Sequence, residues 1–361
     1  MKHIIYLLDG FSPTSLNRYK KKIESKKNYL DDLSKKAIFF KNAYGNGETY
    51  STTYGMFSGK NIYKNYCDAW DIPFSFKEKS SLSKIYKNKG FKTIYYRNAE
   101  PNAYLGDFYG RYLKSIAGSF DFKSYKKINN NDNLDRFLSE NKLKKKLLSN
   151  QKYFIYIHDF TLHDDKRAYN GSRNDYQVAV NSASKVVKKN LQLINYKKNV
   201  DTLYFLSDHG LTPDPQSQIH FKKLKKNIFN KYYPYLFKDE KIKFTFFIKF
   251  PKKINLNLDK KIVASDIFKI INFFLNTNSF AKKTISNFLN RVSKNEVVIS
   301  LRDAFKPTYG NYFVRKVFHT HLIFIGKEKK IFSKGYPNQY SKEVLDEFSI
   351  IKKNNFRSKD L

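Results

Sequence analysis

The chain has 361 residues, and its 69 lysines and arginines against 32 aspartates and glutamates leave a formal net charge of +37. With 41% hydrophobic and 17% aromatic residues it carries enough apolar surface for a large core, which excludes an intrinsically disordered chain; no apolar run approaches the roughly 18 residues of a membrane span. The single cysteine, Cys67, excludes an internal disulfide and a cysteine-based zinc cluster, and it favours a reducing compartment.

The first element is a buried strand over His3 to Leu8. Its apolar run, Ile4 to Leu8, ends at Asp9 and is too short for a secretory signal, so the expected location is cytoplasmic, at most peripheral at a membrane surface. The segment Asn42 to Gly59 follows, with a tight turn at Gly45 and Gly47 and hydroxyl residues that open a short helix. Helical spacing covers Ser80 to Lys89, and β-branched and aromatic residues mark a strand over Phe91 to Tyr96. Asn129 to Asn133 is a polar loop before a helix over Leu134 to Leu148. Strands over Tyr153 to His158 and Thr202 to Ser207 flank a helix over Tyr176 to Ile194, and a fifth strand runs from Phe244 to Phe250. Strands alternating with helices predict an α/β fold, a doubly wound and mostly parallel sheet with helices on both faces.

Pro251 to Leu258 reads as a change of module. Beyond it come a helix over Lys260 to Leu275, a polar helical stretch over Ser286 to Lys294, a hairpin over Tyr312 to Ile325 and a polar end. The expected division is a catalytic domain over residues 1–258, a small C-terminal α+β subdomain over 259–350 that completes the fold, and a tail over 351–361.

In open α/β sheets ligands collect beyond the carboxyl ends of the strands. Three strand ends carry suggestive groups: Asp9-Gly10, then His158-Asp159 with His163 four residues on, and Ser207-Asp208-His209-Gly210. Carboxylates and imidazoles gathered at one edge make a divalent-cation site of mixed oxygen and nitrogen ligands. Taken singly, each aspartate also reads as a helix cap. Hydroxyls at a helix start see oriented amides, where an alkoxide or a phosphate oxygen is stabilised, and they too read as a cap. The basic excess attracts any polyanion, nucleic acid, anionic lipid and acidic glycan included. Abundant Lys, Asn, Ile, Tyr and Phe also follow from codon bias in an AT-rich genome, and the lysines are spread along the chain, at Lys20 to Lys22, Lys144 to Lys146 and Lys222 to Lys226 among others.

Together these residues resemble the alkaline phosphatase superfamily and, within it, the sulfatase-like branch. The strand ending at Asp9 resembles the family's first metal-ligand strand, and Phe39 to Tyr44, a following hydroxyl and Phe57-Ser58-Gly59 resemble its nucleophile segment. Tyr156 to His163 resembles its paired-histidine segment, Leu206-Ser207-Asp208-His209-Gly210 its Asp-His-Gly ligand pair, and Ala264-Ser265-Asp266-Ile267 a helix opening. The likeness covers residue 2 to about 275. Where sulfatases carry a Cys-x-Pro-x-Arg type maturation motif, this chain reads Thr49-Tyr50-Ser51-Thr52-Thr53, and the sulfatases' Asp-Asp pair is here Asp9-Gly10. The Gly45-x-Gly47-x-Thr49 spacing is similar to that of lipoteichoic acid synthases and phosphoethanolamine transferases, which are membrane-anchored and use an unmodified threonine.

The resemblance implies a metal-dependent hydrolase or transferase acting on a phosphodiester or phosphomonoester through a covalent intermediate on Thr49. It implies one divalent ion held by Asp9, Thr49, Asp208 and His209, a set that suits zinc or manganese better than calcium or magnesium. His158 and His163 would face the nucleophile as catalytic groups, and Asn46 and Gly47 would touch substrate. Asp159 and His163, joined by His220, His319 or His321, are candidates for a second ion. The expected substrate is an anionic phosphate or sulfate ester, glycan- or lipid-linked. The alternatives are a sulfuric ester hydrolase on the same fold and a non-catalytic polyanion-binding protein with a relict site.

Overall fold

A computed structural model describes residues 1–19, 28–35, 37–45, 49–59, 81–98, 119–124, 133–170, 173–210, 243–251, 254, 256–277, 281–293, 297–302, 320–325 and 329–334. Its centre is β1 (Lys2–Leu8), buried along its whole length between two parallel neighbours. Alternation divides that strand: Ile5 and Leu7 enter one apolar cluster, and Ile4, Tyr6 and Leu8 enter the other. A strand buried on both faces needs helices above and below it, which is why the run is continuously apolar.

The remaining strands are β2 (Ile38–Tyr44), β3 (Lys92–Arg97), β4 (Phe122–Ser124), β5 (Tyr153–Asp159), β6 (Thr202–Leu206), β7 (Phe246–Lys249) and β8 (Leu256–Val263). They form an eight-stranded sheet in the order β4-β3-β5-β1-β6-β7-β2-β8. β7 alone runs antiparallel to its neighbours β6 and β2. One face is covered by α2 (Thr49–Ser58), α3 (Leu82–Asn88), α8 (Ala264–Asn276) and α9 (Lys282–Val292), through Met56, Phe57, Leu82, Ile267 and Ile285. The other is covered by α1 (Tyr29–Ser34), α4 (Leu134–Glu140), α5 (Leu143–Lys146) and α7 (Arg173–Leu193), through Leu30, Leu138, Leu143 and Val187. The short α6 (Lys166–Asn170) precedes α7. This is the doubly wound, mostly parallel architecture expected.

Several elements differ from their sequence reading. The helix expected over Leu134 to Leu148 breaks in two, because Lys142 takes a left-handed φ of 53° and α5 starts afresh after it. The helix expected from Lys260 starts instead at Ala264, since residues 256–263 pair in parallel with β2. The division drawn at residue 258 therefore falls inside a strand of the main sheet. Asp266 Oδ2 accepts from the Val263 amide at 3.0 Å, which holds the strand-to-helix switch. In the small antiparallel sheet β10 (Thr320–Ile325) lies between β9 (Val297–Arg302) and β11 (Lys329–Lys334). The first part of the expected hairpin, residues 312–319, lies outside the described residues, as does the tail over 351–361. Among the described residues no helix is long and apolar enough to cross a membrane.

Candidate metal centre

Seven of the eight strands point one way, so the ends of β1, β5 and β6 and the start of α2 meet at one edge. Asp9 stands directly beyond β1, and its amide donates to the Asp159 carbonyl at 2.9 Å. Asp208 stands two residues beyond β6, on a turn tied to residue 245 by a Ser207 amide to Thr245 carbonyl bond of 3.0 Å and a Thr245 amide to Ser207 Oγ bond of 2.8 Å. Two backbone amides fix one oxygen of its carboxylate: Gly10 N donates to Asp208 Oδ1 at 3.0 Å and His209 N at 2.9 Å.

The other oxygen, Oδ2, accepts the hydroxyl of Thr49, the first residue of α2. The same hydroxyl donates to Asp9 Oδ2 at 3.2 Å. Thr52 Oγ1 donates to the Asp208 carbonyl at 3.0 Å, which ties the second turn of α2 to the same loop. Gly45, where β2 hands over to this segment, faces Thr52 and the Asp208 carbonyl too closely for a Cβ.

His209 Nδ1 lies 3.2 Å from the Gly210 carbonyl, and a carbonyl oxygen only accepts, so this nitrogen carries the proton. Nε2 then faces the acids, 3.3 Å from Asp208 Oδ2 and 3.8 Å from Asp9 Oδ1. An imidazole held through Nδ1 in this way can offer Nε2 to a metal. One ligand atom each from Asp9, Asp208 and His209 lies within 4.8 Å of the others, and all three residues are buried. Asp9 Oδ1 is buried and has no hydrogen-bond partner. Two carboxylates and an imidazole converging in a buried place, with one oxygen unsatisfied, fit a divalent cation.

The neighbouring imidazoles shape the electrostatics. Burial pushes the Asp9 carboxyl up, but the His158 hydrogen bond and the His163 and His209 rings outweigh it and hold the group well below the usual carboxylate range. Burial lowers His158; Asp9 opposes the shift, and the Arg97 charge adds to it. Burial also works against the charge of His163, yet its pairing with Asp164 at 3.6 Å and the fields of Asp9 and Asp208 leave that ring raised.

The described residues give a place to seven of the expected site residues: Asp9, Thr49, His158, Asp159, His163, Asp208 and His209. Asp9, Thr49, Asp208 and His209 come together. His158, on the same sheet face, reaches Asp9 Oδ2 with Nε2 at 3.2 Å and is only 2% exposed. His163 is half-buried on the turn after β5, its ring edge-on to Phe160. Asp159 is not available for a second ion. Strand alternation turns it to the opposite face, where Tyr6 occupies Oδ2, and Asn98 Nδ2, Thr161 N and Thr161 Oγ1 donate to Oδ1 at 2.8, 2.9 and 2.6 Å. His321 lies on β10 of the small sheet, while His220, His319, Asn46 and Gly47 lie outside the described residues. Sequence reasoning passed over Arg97, which is 2% exposed and places its guanidinium 4.4 Å above the Phe160 ring. It ends β3 as Asp159 ends β5, so the strand-end rule could have found it.

No curated protein is similar enough to match. Among solved structures, a 2-O GAG sulfatase (BT1596) superposes with a TM-score of 0.59 at 14% identity, covering 98% of this chain and 91% of its own. The lipoteichoic acid synthase LtaP from Listeria monocytogenes gives 0.55 at 15% identity, covering 98% and 90%. The C-terminal periplasmic domain of EcEptC from Escherichia coli gives 0.51 at 16%, covering 75% and 81%, and the same domain is also described in complex with Zn. At these identities the structures share a fold. The family model described as Sulfatase matches residues 3–275, three quarters of the sequence and all of the metal cluster: the chain belongs to the sulfatase family, in the alkaline phosphatase superfamily.

Proposed function

We propose that this protein is a metal-dependent hydrolase or transferase of phosphate esters that works through a covalent intermediate on Thr49. One observation carries the reading: an unmodified threonine hydroxyl, opening a ten-residue helix, donates to both Asp9 and Asp208. Its proton is thereby directed at carboxylate oxygens, and its lone pairs are left for an electrophile. A divalent ion held by Asp9, Asp208 and His209 would lower the pKa of the hydroxyl beside it and screen the anionic substrate. Zinc or manganese suits this donor set.

The chain's own groups account for the rest. The Thr49 oxygen passes its proton to the Asp208 carboxylate it already meets and forms a bond to phosphorus as the bond from phosphorus to the departing oxygen breaks, while the amides at the start of α2 face the developing charge. His163, raised by Asp164, supplies a proton to the departing oxygen. In the second half-reaction the same ring takes a proton from water, for hydrolysis, or from an acceptor hydroxyl, for transfer; that oxygen bonds to phosphorus as the phosphorus–Thr49 bond breaks, and the Thr49 oxygen takes its proton back. A one-ion site agrees with the engagement of Asp159 elsewhere. The substrate is an anionic ester, glycan- or lipid-linked; a nucleic-acid partner finds no support in the comparisons.

The experiment is a screen of nitrophenyl phosphodiester, phosphomonoester and sulfate ester with Zn²⁺ and Mn²⁺. Turnover of a phosphate ester, phosphate trapped on Thr49 and a loss of at least about 1,000-fold in Thr49→Ala support the proposal. Turnover confined to the sulfate ester, or label found on Ser51 or Thr52, refutes it.

A further inference from the structure

We infer that His158 is a positioning residue of the cation site: its Nε2–H holds Asp9 Oδ2 so that Asp9 Oδ1 is turned into the gap facing His209. The inference rests on the metal reading of Asp9, Asp208 and His209 given above. β5 and β1 are neighbours with Leu7 opposite His158, so Asp9, two residues beyond Leu7, projects from the same face as the imidazole. Nε2 meets Oδ2 at 3.2 Å. An ionised carboxylate only accepts, so the proton of that contact sits on Nε2.

Thr49 donates to the same Oδ2, at 3.2 Å. Two donors therefore converge on one oxygen of Asp9, and the other, buried, receives none. Such one-sided engagement aims a ligand: the satisfied oxygen fixes the rotation of the carboxylate, and the free one is presented to the ion. The His158 ring is itself held. Its centroid lies 4.3 Å from that of Phe160 and 6.0 Å from that of Tyr156, with the Arg97 guanidinium 4.4 Å above Phe160 on the same face. A buried imidazole at 2% exposure is a costly way to fill a strand position that a leucine would fill, and its one polar contact to a titratable group is the bond to Asp9. This places His158 behind the metal ligand, away from the substrate.

Two substitutions separate the donor from the packing. His158→Phe keeps a ring between Phe160 and Tyr156 and removes the donor; His158→Gln keeps an N–H donor and removes the ring. Zn²⁺ and Mn²⁺ affinity of the full-length protein is measured by calorimetry or chelator competition, with melting curves of the metal-free proteins alongside. The expected result is affinity weakened about 10- to 100-fold in His158→Phe and largely restored in His158→Gln. Wild-type affinity in His158→Phe, or equal loss in both variants, overturns the inference. So does a His158→Gln protein that binds metal normally yet loses turnover, because His158 would then act on substrate. Should the variants fail to fold, imidazole ¹⁵N spectra of the wild type decide: a proton on Nε2 before and after Zn²⁺ is expected, and a bare Nε2 overturns it. Asp208→Ala is the control for the underlying reading. If the wild type binds neither ion, or Asp208→Ala binds as well as the wild type, the site itself fails; if only His158→Phe is silent, the inference alone fails.

Discussion

At Gly45 a Cβ would stand 2.9 Å from Thr52 Oγ1, 3.0 Å from the Asp208 carbonyl oxygen and 3.1 Å from Phe244 Cδ1. A backbone oxygen at that distance cannot step aside without moving the loop that carries Asp208 and His209. Gly45→Ala should therefore cost about 1–3 kcal/mol of stability through overpacking. It should cost disproportionately more in turnover, because a displacement on the order of 1 Å between nucleophile and ligands costs up to about 100-fold. Parallel melting and kcat/KM measurements check this; equal, small losses in both would count against the close approach. A second residue-scale expectation concerns His163. Asp164 helps keep its proton on, so Asp164→Asn should lower its pKa. A group that acts as an acid is active below its pKa, so the alkaline limb of the kcat profile for an alkyl phosphodiester should move to lower pH in the variant. An unmoved limb would remove His163 from the proton-donor role. His3, near the start of β1, is different: burial lowers its pKa to about 3, and Nδ1 pairs with Tyr86 Oη at 2.8 Å. The folded state keeps it neutral while the unfolded chain takes up a proton below about pH 6.5. Its contribution is complete above that pH and lost as pH falls toward 3, on the order of a few kcal/mol. His3→Gln should flatten that part of the stability–pH curve in urea titrations.

Among the elements, α2 carries Thr49, the proposed nucleophile, and packs against the start of α8, with Gly55 at the crossing. A Cβ there would lie 3.1 Å from Ser265 N and 3.2 Å from Ala264 Cβ. In an isolated helix Gly55→Ala would gain about 1 kcal/mol of propensity. Here the neighbours are backbone and a methyl group at a capped helix start, so the variant should fold with little or no gain and should bind metal more weakly as α2 shifts Thr49; a rise in stability with unchanged affinity would show that the crossing has slack. The same packing explains which elements were legible. Strands β1, β5 and β6 are buried on both faces and read as continuous apolar runs, and their polar ends gave Asp9, His158, Asp208 and His209 at once. β8 was read partly as linker and partly as helix because Asp259, Lys260 and Lys261 interrupt it. It borders the sheet, where charged side chains are tolerated and guard the open edge. The direction of Asp159 was not legible in spacing alone: Asp159 and His163 stand four apart, as a metal pair would, but strand alternation and the donors Tyr6, Asn98 and Thr161 fix the carboxylate on the far face.

For the molecule as a whole, a formal charge of +37 bears on how substrate arrives. A site of two buried acids would repel an anionic ester, and a bound divalent ion offsets that only locally. Lysines elsewhere on the surface act from further away, through solvent, and fields of that kind fade over about 8–10 Å at physiological salt. If they raise the local concentration of substrate, KM should climb with ionic strength while kcat stays level, since Asp9, Asp208 and His209 are buried against screening. The climb should be steeper for a phosphomonoester dianion than for a phosphodiester monoanion at the same pH. Steady-state kinetics from about 0.01 to 0.5 M salt, with viscosity and metal activity held constant, read out both slopes. Equal and flat slopes would assign the lysine excess to composition and leave recognition to the site alone; diverging slopes would make the basic surface part of how the protein finds its ester.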